Sequence, residues 1–367
     1  MSLSKWKEKF LIRLSYFVYN KTLNCPNSRL VRFYNLIQSL LIRYKNPIIT
    51  TKFQNITLTR PLSHPLFIIL RECPFYERIL EGIVAHICDK YGKLSMVDVG
   101  ANIGDSAIFS LIKGGSYLLV EGALEYATLI ESNLRHNVKT RLYTDANPPH
   151  LAKRYYTKDY EGQEDQSFLV YGGIFLGEGD LSNYQLQLLE NGSAKLIDRN
   201  TTTQQHNNTT TQQHNNTTTQ QHTLDSLLAE CSFVPNFIKI DTDGFDFKIL
   251  RGAYKTLRDN KPVLFFEWDY VHLANQSEMA LSIFPFLSNL GYNKLVIFDN
   301  YGHLLCVLST QDTSNLSTLM DYTRYKQRCI PYYDILALHK ESLFDIEEYR
   351  KTYWFNPYFY ERHPDLL

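Results

Sequence analysis

The chain has 367 residues, 44% hydrophobic and 14% aromatic, enough for one large or two small domains with a real core. Its 38 basic and 38 acidic side chains balance, which argues against a uniformly cationic nucleic-acid binder. The charge is unevenly spread: residues 1–60 hold eleven Lys and Arg and one acid, Glu8, a net +10 that leaves −10 on the remainder.

Residues 3–18 place Leu3, Trp6, Phe10, Leu14, Phe17 and Val18 at helical spacing, with Lys5, Lys9, Arg13 and Tyr16 on the other side. A second apolar segment, Leu30 to Tyr44, carries Arg32 and Arg43 and follows Arg29. Residues 1–60 thus read as a basic helical arm. It either caps the body or docks, through residues 1–45, on a membrane surface or an anionic glycolipid. Arg13 interrupts the first apolar stretch and no small-residue cleavage site follows, so no signal peptide is expected. The longest apolar run, Leu66–Leu70, is far too short to span a bilayer. The six cysteines form no CxxC and no zinc-spaced cluster with histidine. They are expected as free thiols in a reducing, cytoplasmic compartment, and no metal ligands are assigned.

From residue 90 onward strands alternate with helices. Expected strands are Ser95–Val99, Tyr117–Val120, Phe168–Tyr171, Phe237–Ile240 and Val263–Phe266. Expected helices are Asp105–Ile112, Glu125–Arg135, Phe247–Leu257 and Glu278–Leu290. A hairpin, Lys294–Phe298 with His303–Val307, closes the series through the turn at 299–302. This pattern predicts an α/β fold with a mostly parallel sheet and an antiparallel C-terminal hairpin. TTTQQHNN occurs at 201–208 and 209–216, and TTTQQH at 217–222. With no apolar residue it reads as a disordered loop insertion over 200–222, and His206, His214 and His222 as products of repeat duplication rather than ligands. The tail at 341–367, rich in Tyr, Phe and Trp, is expected to pack on the body or on a partner subunit.

The chemistry concentrates at strand ends. MVDVGANIGDSAIFS at 96–110 runs a strand through Asp98 into the turn Gly100-Ala-Asn-Ile-Gly104 and then a helix. Such a turn lets a ligand approach the backbone and presents N–H groups to an anion. Asn102 stands where the dinucleotide fingerprint needs glycine, so a carboxylate is a better guest than a pyrophosphate. The second strand ends in Glu121, about 20 residues past the turn, the usual place for an acid that binds a ribose diol. A carboxylate turn and a ribose acid together describe S-adenosylmethionine. The strand FIKI ends in Asp241 and Asp243 before Gly244. Either acid can position a hydroxyl or act as base, and either can equally cap a helix. Glu267 closes the next strand, as a site acid or a structural acceptor, and His272 beyond it is a candidate base.

VDVGANIGD, Glu121, TLDSLL at 223–228, FIKIDTDGFDFKILRGA and KPVLFFEWD, in this order and spacing, resemble the FkbM family of methyltransferases over roughly residues 75–300. The resemblance implies a class I, Rossmann-like methyltransferase domain over 61–340 that uses S-adenosylmethionine. It implies methyl transfer to hydroxyls of sugars and other natural products, so a small-molecule or glycan substrate. It places Asp98, Gly100, Asn102 and Gly104 around the methionine, Glu121 on the ribose, and Asp241 and Asp243 in the family's D-x-E-G turn. Two positions depart: Gly122 stands for the usual Pro and Asp243 for the usual Glu. The stretch 139–166 and the repeat look like insertions. Asn147-Pro-Pro-His150 resembles the motif of nucleobase amino-methyltransferases, but the fourth-strand position already belongs to Phe237–Asp241, so no nucleic-acid partner is expected. A non-catalytic Rossmann-like binding module is the other alternative. The sequence assigns no oligomeric state.

Overall fold

The computed structural model describes residues 3–24, 28–53, 55–72, 76, 78–149, 151–178, 184–188, 194–198, 221–325 and 328–354. Most of the repeat, residues 201–220, and the tail beyond residue 354 lie outside the described residues.

Two packed helices open the chain, α1 (Leu3–Asn24) and α2 (Ser28–Tyr44). A β-hairpin follows, β1 (Ile48–Phe53) with β2 (Ile56–Pro61). The expected helical arm over 1–60 therefore ends at Tyr44; the β-branched run Ile48-Ile-Thr-Thr51 favours strand instead. Helices α3 (Leu66–Glu72) and α4 (Ile79–Tyr91) lead into the body. There β3 (Ser95–Val99), α5 (Asp105–Phe109), β4 (Ser116–Glu121), α6 (Leu124–Asn137), β5 (Tyr143–Thr144), β6 (Ala152–Lys158) and β7 (Glu164–Gly172) form the first half. Short strands follow: β8 (Phe175–Leu176), β9 (Tyr184–Leu188), β10 (Ala194–Asp198) and β11 (Gln221–His222). The second half has α7 (Leu224–Glu230), β12 (Phe237–Ile240), α8 (Asp246–Arg251), α9 (Tyr254–Asp259), β13 (Val263–Trp268), α10 (Tyr270–Asn275) and α11 (Ile283–Asn289). It ends with β14 (Tyr292–Asp299), β15 (Leu304–Ser309), α12 (Thr313–Thr323), β16 (Tyr333–His339) and α13 (Ile346–Tyr349).

Ten strands form one sheet in the order β15-β14-β16-β13-β12-β3-β4-β7-β6-β5. The five from β13 to β7 run parallel. The expected hairpin is present as β14 and β15, but it does not close the sheet alone. β16, which the sequence reading missed, inserts antiparallel between β13 and β14. The stretch at 139–166 supplies β5, β6 and the start of β7, an antiparallel opposite edge. Chain order reverses between β3 and β12, the switch point where open α/β sheets leave a crevice.

The central strands are buried on both faces, as parallel sheets require. One face packs Val97, Val99, Leu118, Val120, Ile238 and Ile240 against Leu224, Leu227, Phe247 and Leu250. The other packs Met96, Tyr117, Leu119 and Phe237 against Ile83, Ile87, Ala107, Ile130 and Leu134. A third cluster joins Val18, Tyr19 and Leu41 of the N-terminal helices to Leu58, Phe67, Ile103 and Tyr126. Two asparagines of α6 grip β2 as a neighbouring strand would. Asn133 Oδ1 accepts from Thr59 N at 2.6 Å and Nδ2 donates to Thr59 O at 3.0 Å. Asn137 does the same with Thr57, at 3.0 and 2.7 Å.

Two expected helices are shorter than their periodicity. The 247–257 pattern breaks into α8 and α9 at Gly252, whose carbonyl accepts from Asp225 N at 3.1 Å, and the Asp225 carboxylate caps the new start. The Asp225 carboxylate accepts from Lys255 N at 2.7 Å and Thr256 N at 2.9 Å. The 278–290 pattern becomes helical only at Ile283. Pro285, lacking an N–H, sits in that first turn, where the donor is not needed. Of the aromatic tail, Tyr349 is buried and Tyr353 packs with it around His86, alongside Phe344.

Candidate active site

A cavity of about 280 Å³ lies at the carboxyl ends of β3, β4 and β12. Gly100, Asn102, Glu121, Asp241 and Asp243 all line it, so five of the eight expected site residues meet at one place. Its wall also includes His64, Leu66 and Ile69 from the β2–α3 segment, Phe175 from β8, and Lys239 and Glu267.

The glycine turn is built by backbone crossing. Gly100 N and Ala101 N both donate to Val120 O at 3.0 Å, tying the turn to β4. Gly100 has φ 82°, and a Cβ there would lie 1.8 Å from Asp241 O. The glycine is therefore demanded by the neighbouring strand end, whatever ligand is bound. Asn102 is left-handed at φ 49°, a region asparagine tolerates. Its N–H donates to Glu121 Oε2 at 2.7 Å, and Ala123 N donates to Glu121 Oε1 at 2.6 Å. Glu121 thus clamps the turns after both strands while remaining on the cavity wall. Burial pushes its carboxyl up to about 7, against the two backbone donors that favour the charged form.

Asp98 and Gly104 are not among the lining residues, which corrects their expected contact with a ligand. Asp98 is fully enclosed, paired in register with Lys239 across β3 and β12, with Lys239 Nζ 3.5 Å from Asp98 Oδ1. Burial raises the Asp98 carboxyl above its usual range while Lys239 opposes the rise. Lys239 also reaches Asp241 Oδ2 at 3.3 Å, so a buried cation bridges an interior acid and a rim acid. Gly104, at φ 85°, lies against Ile130 of α6 and serves the turn into α5.

Asp243 is left-handed at φ 50°, followed by Gly244 at φ 100°. Aspartate bears that conformation better than most side chains, which suits the shorter acid to this turn. Asp246 anchors the turn from below: its Oδ2 accepts from Thr242 Oγ1 at 3.0 Å and Gly244 N at 3.3 Å. Burial pushes Asp246 up to about 7, helped by Asp241.

His272 does not line the cavity. It stands behind the wall, its Nδ1 3.0 Å from Glu267 Oε1 and 3.7 Å from Asp243 Oδ1. The hydrogen bond to Glu267 is the main cause that raises the imidazole to about 9, so it holds a proton at neutral pH and is poorly suited to accept another. Burial raises the Glu267 carboxyl above its usual range, and the His272 hydrogen bond opposes that rise. The ligand atoms of Glu267, Asp269 and His272 lie within 4.8 Å of one another, the one such group among the described residues that could hold a metal ion. Each already has a protein role: Asp269 Oδ1 caps α10 through Val271 N and His272 N, and His272 bonds Glu267.

Two wall residues, His64 and Lys239, escaped the sequence reading. His64 is buried and neutral, pushed down to about 4 by desolvation and by the nearby Arg60 cation. Nothing in the local sequence marks it. Lys239 was legible as a cation inside the apolar FIKI strand, opposite the only acid of SMVDV. Glu267, weighed as site acid or acceptor, lines the main cavity and also a small side cavity of about 20 Å³. Asn147, Pro148 and Pro149 sit between β5 and β6 at the sheet edge and none lines the cavity; His150 lies outside the described residues.

The cavity fits S-adenosylmethionine by its donor set. Glu121 offers a buried carboxylate for a ribose diol. The side-chain oxygen of Asn102 is buried beside His64 and engages its imidazole, so it helps to build the cavity wall.

No curated protein matches the chain. Several solved structures resemble it, three methyltransferases among them. A methyltransferase FkbM from Methylobacillus flagellatus KT is 15% identical with a TM-score of 0.33, over 59% of this chain and 43% of that one. This chain thus spans less than half the length of that relative. A precorrin-6y C5,15-methyltransferase from Geobacter metallireducens GS-15 is 14% identical, TM-score 0.29, over 67% and 80%. The plantazolicin methyltransferase BpumL, in complex with SAH, is 8% identical, TM-score 0.31, over 92% and 100%. The family model described as the methyltransferase FkbM domain matches residues 98–294. That segment, more than half of the chain, begins at Asp98, contains the turns that carry Gly100, Glu121, Asp241 and Glu267, and ends in β14: the chain belongs to the FkbM methyltransferase family.

Proposed function

We propose that the protein is an S-adenosylmethionine-dependent O-methyltransferase whose acceptor is a sugar hydroxyl of a glycan or glycolipid precursor. The observation that carries this reading is the cavity at the strand switch point, where a buried carboxylate on β4 faces the acids that end β12. Glu121 would hold the ribose. Its oxygens each accept one backbone N–H and retain capacity for a hydroxyl. The turn at 100–104 would hold the methionine end.

The bound cofactor supplies a methyl group already activated by its sulfonium, so the protein's task is mainly alignment. Asp241 and Asp243 face the cavity and would orient the acceptor hydroxyl and receive its proton. Lys239 fixes Asp241, and protonated His272 stands behind Asp243 and Glu267. The acceptor end suits a polyol. At that end the main cavity presents Asp241, Asp243 and Glu267 as carboxylates for hydroxyls and Tyr76 as an aromatic face for sugar C–H groups.

Calorimetric titration with S-adenosylmethionine tests the cofactor site. Glu121→Ala is expected to weaken binding at least tenfold, roughly 1.4 kcal/mol; unchanged affinity would reject the ribose assignment. Labelled methyl transfer to a panel of cell-envelope carbohydrate fractions tests the acceptor, with nucleic acid as the contrasting arm.

A further inference from the structure

The N-terminal helical hairpin buries one face and leaves an apolar crest on the other. On the inner side Val18, Tyr19 and Leu41 are buried in the third core cluster. On the outer side of α2, Phe33, Leu36, Leu40 and Tyr44 are all more than half exposed. Their spacing of three and four residues makes them one continuous stripe. On α1, Trp6 and Phe10 stack on each other and are also more than half exposed, as is Phe17. A helix belonging only to this body would turn such side chains inward. Lys7, Lys9, Arg13, Lys21, Arg32 and Arg43, all exposed, flank the crest. The segment 1–60 has a single acid, Glu8, against eleven cations.

We propose that the outer face of α1 and α2 is a docking surface for an anionic lipid bilayer. The occupant follows from charge and shape together. A convex ridge of aromatic and leucine side chains, flanked by cations, matches the acyl–headgroup boundary of a negatively charged leaflet. A second copy of this chain would bring one strongly cationic face against another. No helix among the described residues is long and apolar enough to cross a membrane, so the contact is peripheral. The hairpin is also tied to the active-site wall. Tyr19 of α1 stacks under buried Arg60, 4.7 Å from its ring, and Arg60 donates to the carbonyl of His64 at 2.9 Å. Docking would therefore bear on the segment that backs the cavity wall, which, resting on the proposed function, favours an acceptor saccharide carried on a lipid.

The test is co-sedimentation of the full chain with vesicles of phosphatidylcholine alone and with about one third phosphatidylglycerol, a fraction that gives a surface potential of the order found on anionic leaflets. Retention on the anionic vesicles only is expected. Phe33→Ser with Leu36→Ser and Leu40→Ser should lower it at least tenfold, with an unchanged thermal midpoint because those side chains are exposed. Arg13→Gln with Arg32→Gln and Arg43→Gln should lower it too, and added salt should mimic that loss. Absence of binding, or equal binding to neutral vesicles, overturns the proposal. So does a dimer in sedimentation velocity that the crest variant dissociates. Affinity for S-adenosylmethionine, measured separately, should be the same in all these variants, which keeps a failure here distinct from a failure of the cofactor reading.

Discussion

A carboxylate as deeply enclosed as Asp98 costs several kcal/mol unless a cation stands beside it. Lys239 is that cation, and it is also the link by which the interior of the sheet reaches the rim acid Asp241. Lys239→Met should destabilise the protein by about 3–5 kcal/mol in urea denaturation, because Asp98 is left without a partner. Adding Asp98→Asn should restore at least half of that loss. A double variant no more stable than Lys239→Met would show that the pair does not act as an ion pair. Glu121 shows a different economy: the same two oxygens that hold the turns of β3 and β4 together are those aimed at the cavity. Its position was legible from its place at a strand end. Its service to the backbone was not, since the donors, Asn102 and Ala123, reach it only once the two turns lie side by side.

Among the elements, the turn after β4 explains a departure from the family pattern. The usual proline is replaced by Gly122, and a Cβ at that position would lie 2.5 Å from Phe175 Cε1. The glycine makes room for the ring of β8, which lines the cavity. Gly122→Ala should lower both the thermal midpoint and the affinity for S-adenosylmethionine, and Phe175→Ala in the same chain should recover stability. Failure of the second change to compensate would place the strain elsewhere. The strands at the centre were legible because they are short, apolar and end in acids. β16 was not: YDILALH carries an acid and a histidine at its ends, and it follows the hairpin that looked terminal. The break between α8 and α9 was equally hidden, since the bond from Asp225 N to Gly252 O and the cap from the Asp225 carboxylate come from a distant part of the chain.

For the whole molecule, the buried acids set the direction of its pH dependence. Glu121 and Asp246 have folded-state values of about 7, above those of the unfolded chain, mainly through burial. Each of these two acids binds one more proton in the native state than in the unfolded one between about pH 4 and 7, and His64, depressed to about 4, offsets only one of them below pH 6.5. This contribution is fully present below the unfolded value and is lost as pH rises through the folded one. His272, raised to about 9 by Glu267, adds a loss in the same direction above pH 6.5. The thermal midpoint should accordingly fall from pH 5 to pH 8. Asp246→Asn, which keeps an oxygen for Thr242 and Gly244, should make that fall shallower. One such group contributes at most about 1.4 kcal/mol per pH unit within its window. A midpoint that rises with pH over this range would contradict the raised values.

Local order was enough to establish the kind of protein. Period-two and period-3.6 patterns, a glycine turn after a buried strand, and acids at three strand ends are properties of contiguous residues, and they specified a class I fold, its family and most of its cavity. The tertiary structure decided which side chains face that cavity. Asp98 withdrew from it because its register partner is Lys239, His272 stands behind Glu267 rather than beside a ligand, and His64 arrives from a segment some forty residues before the glycine turn. Facing and burial depend on contacts between residues far apart in sequence, and a single chain read from end to end carries no measure of those distances.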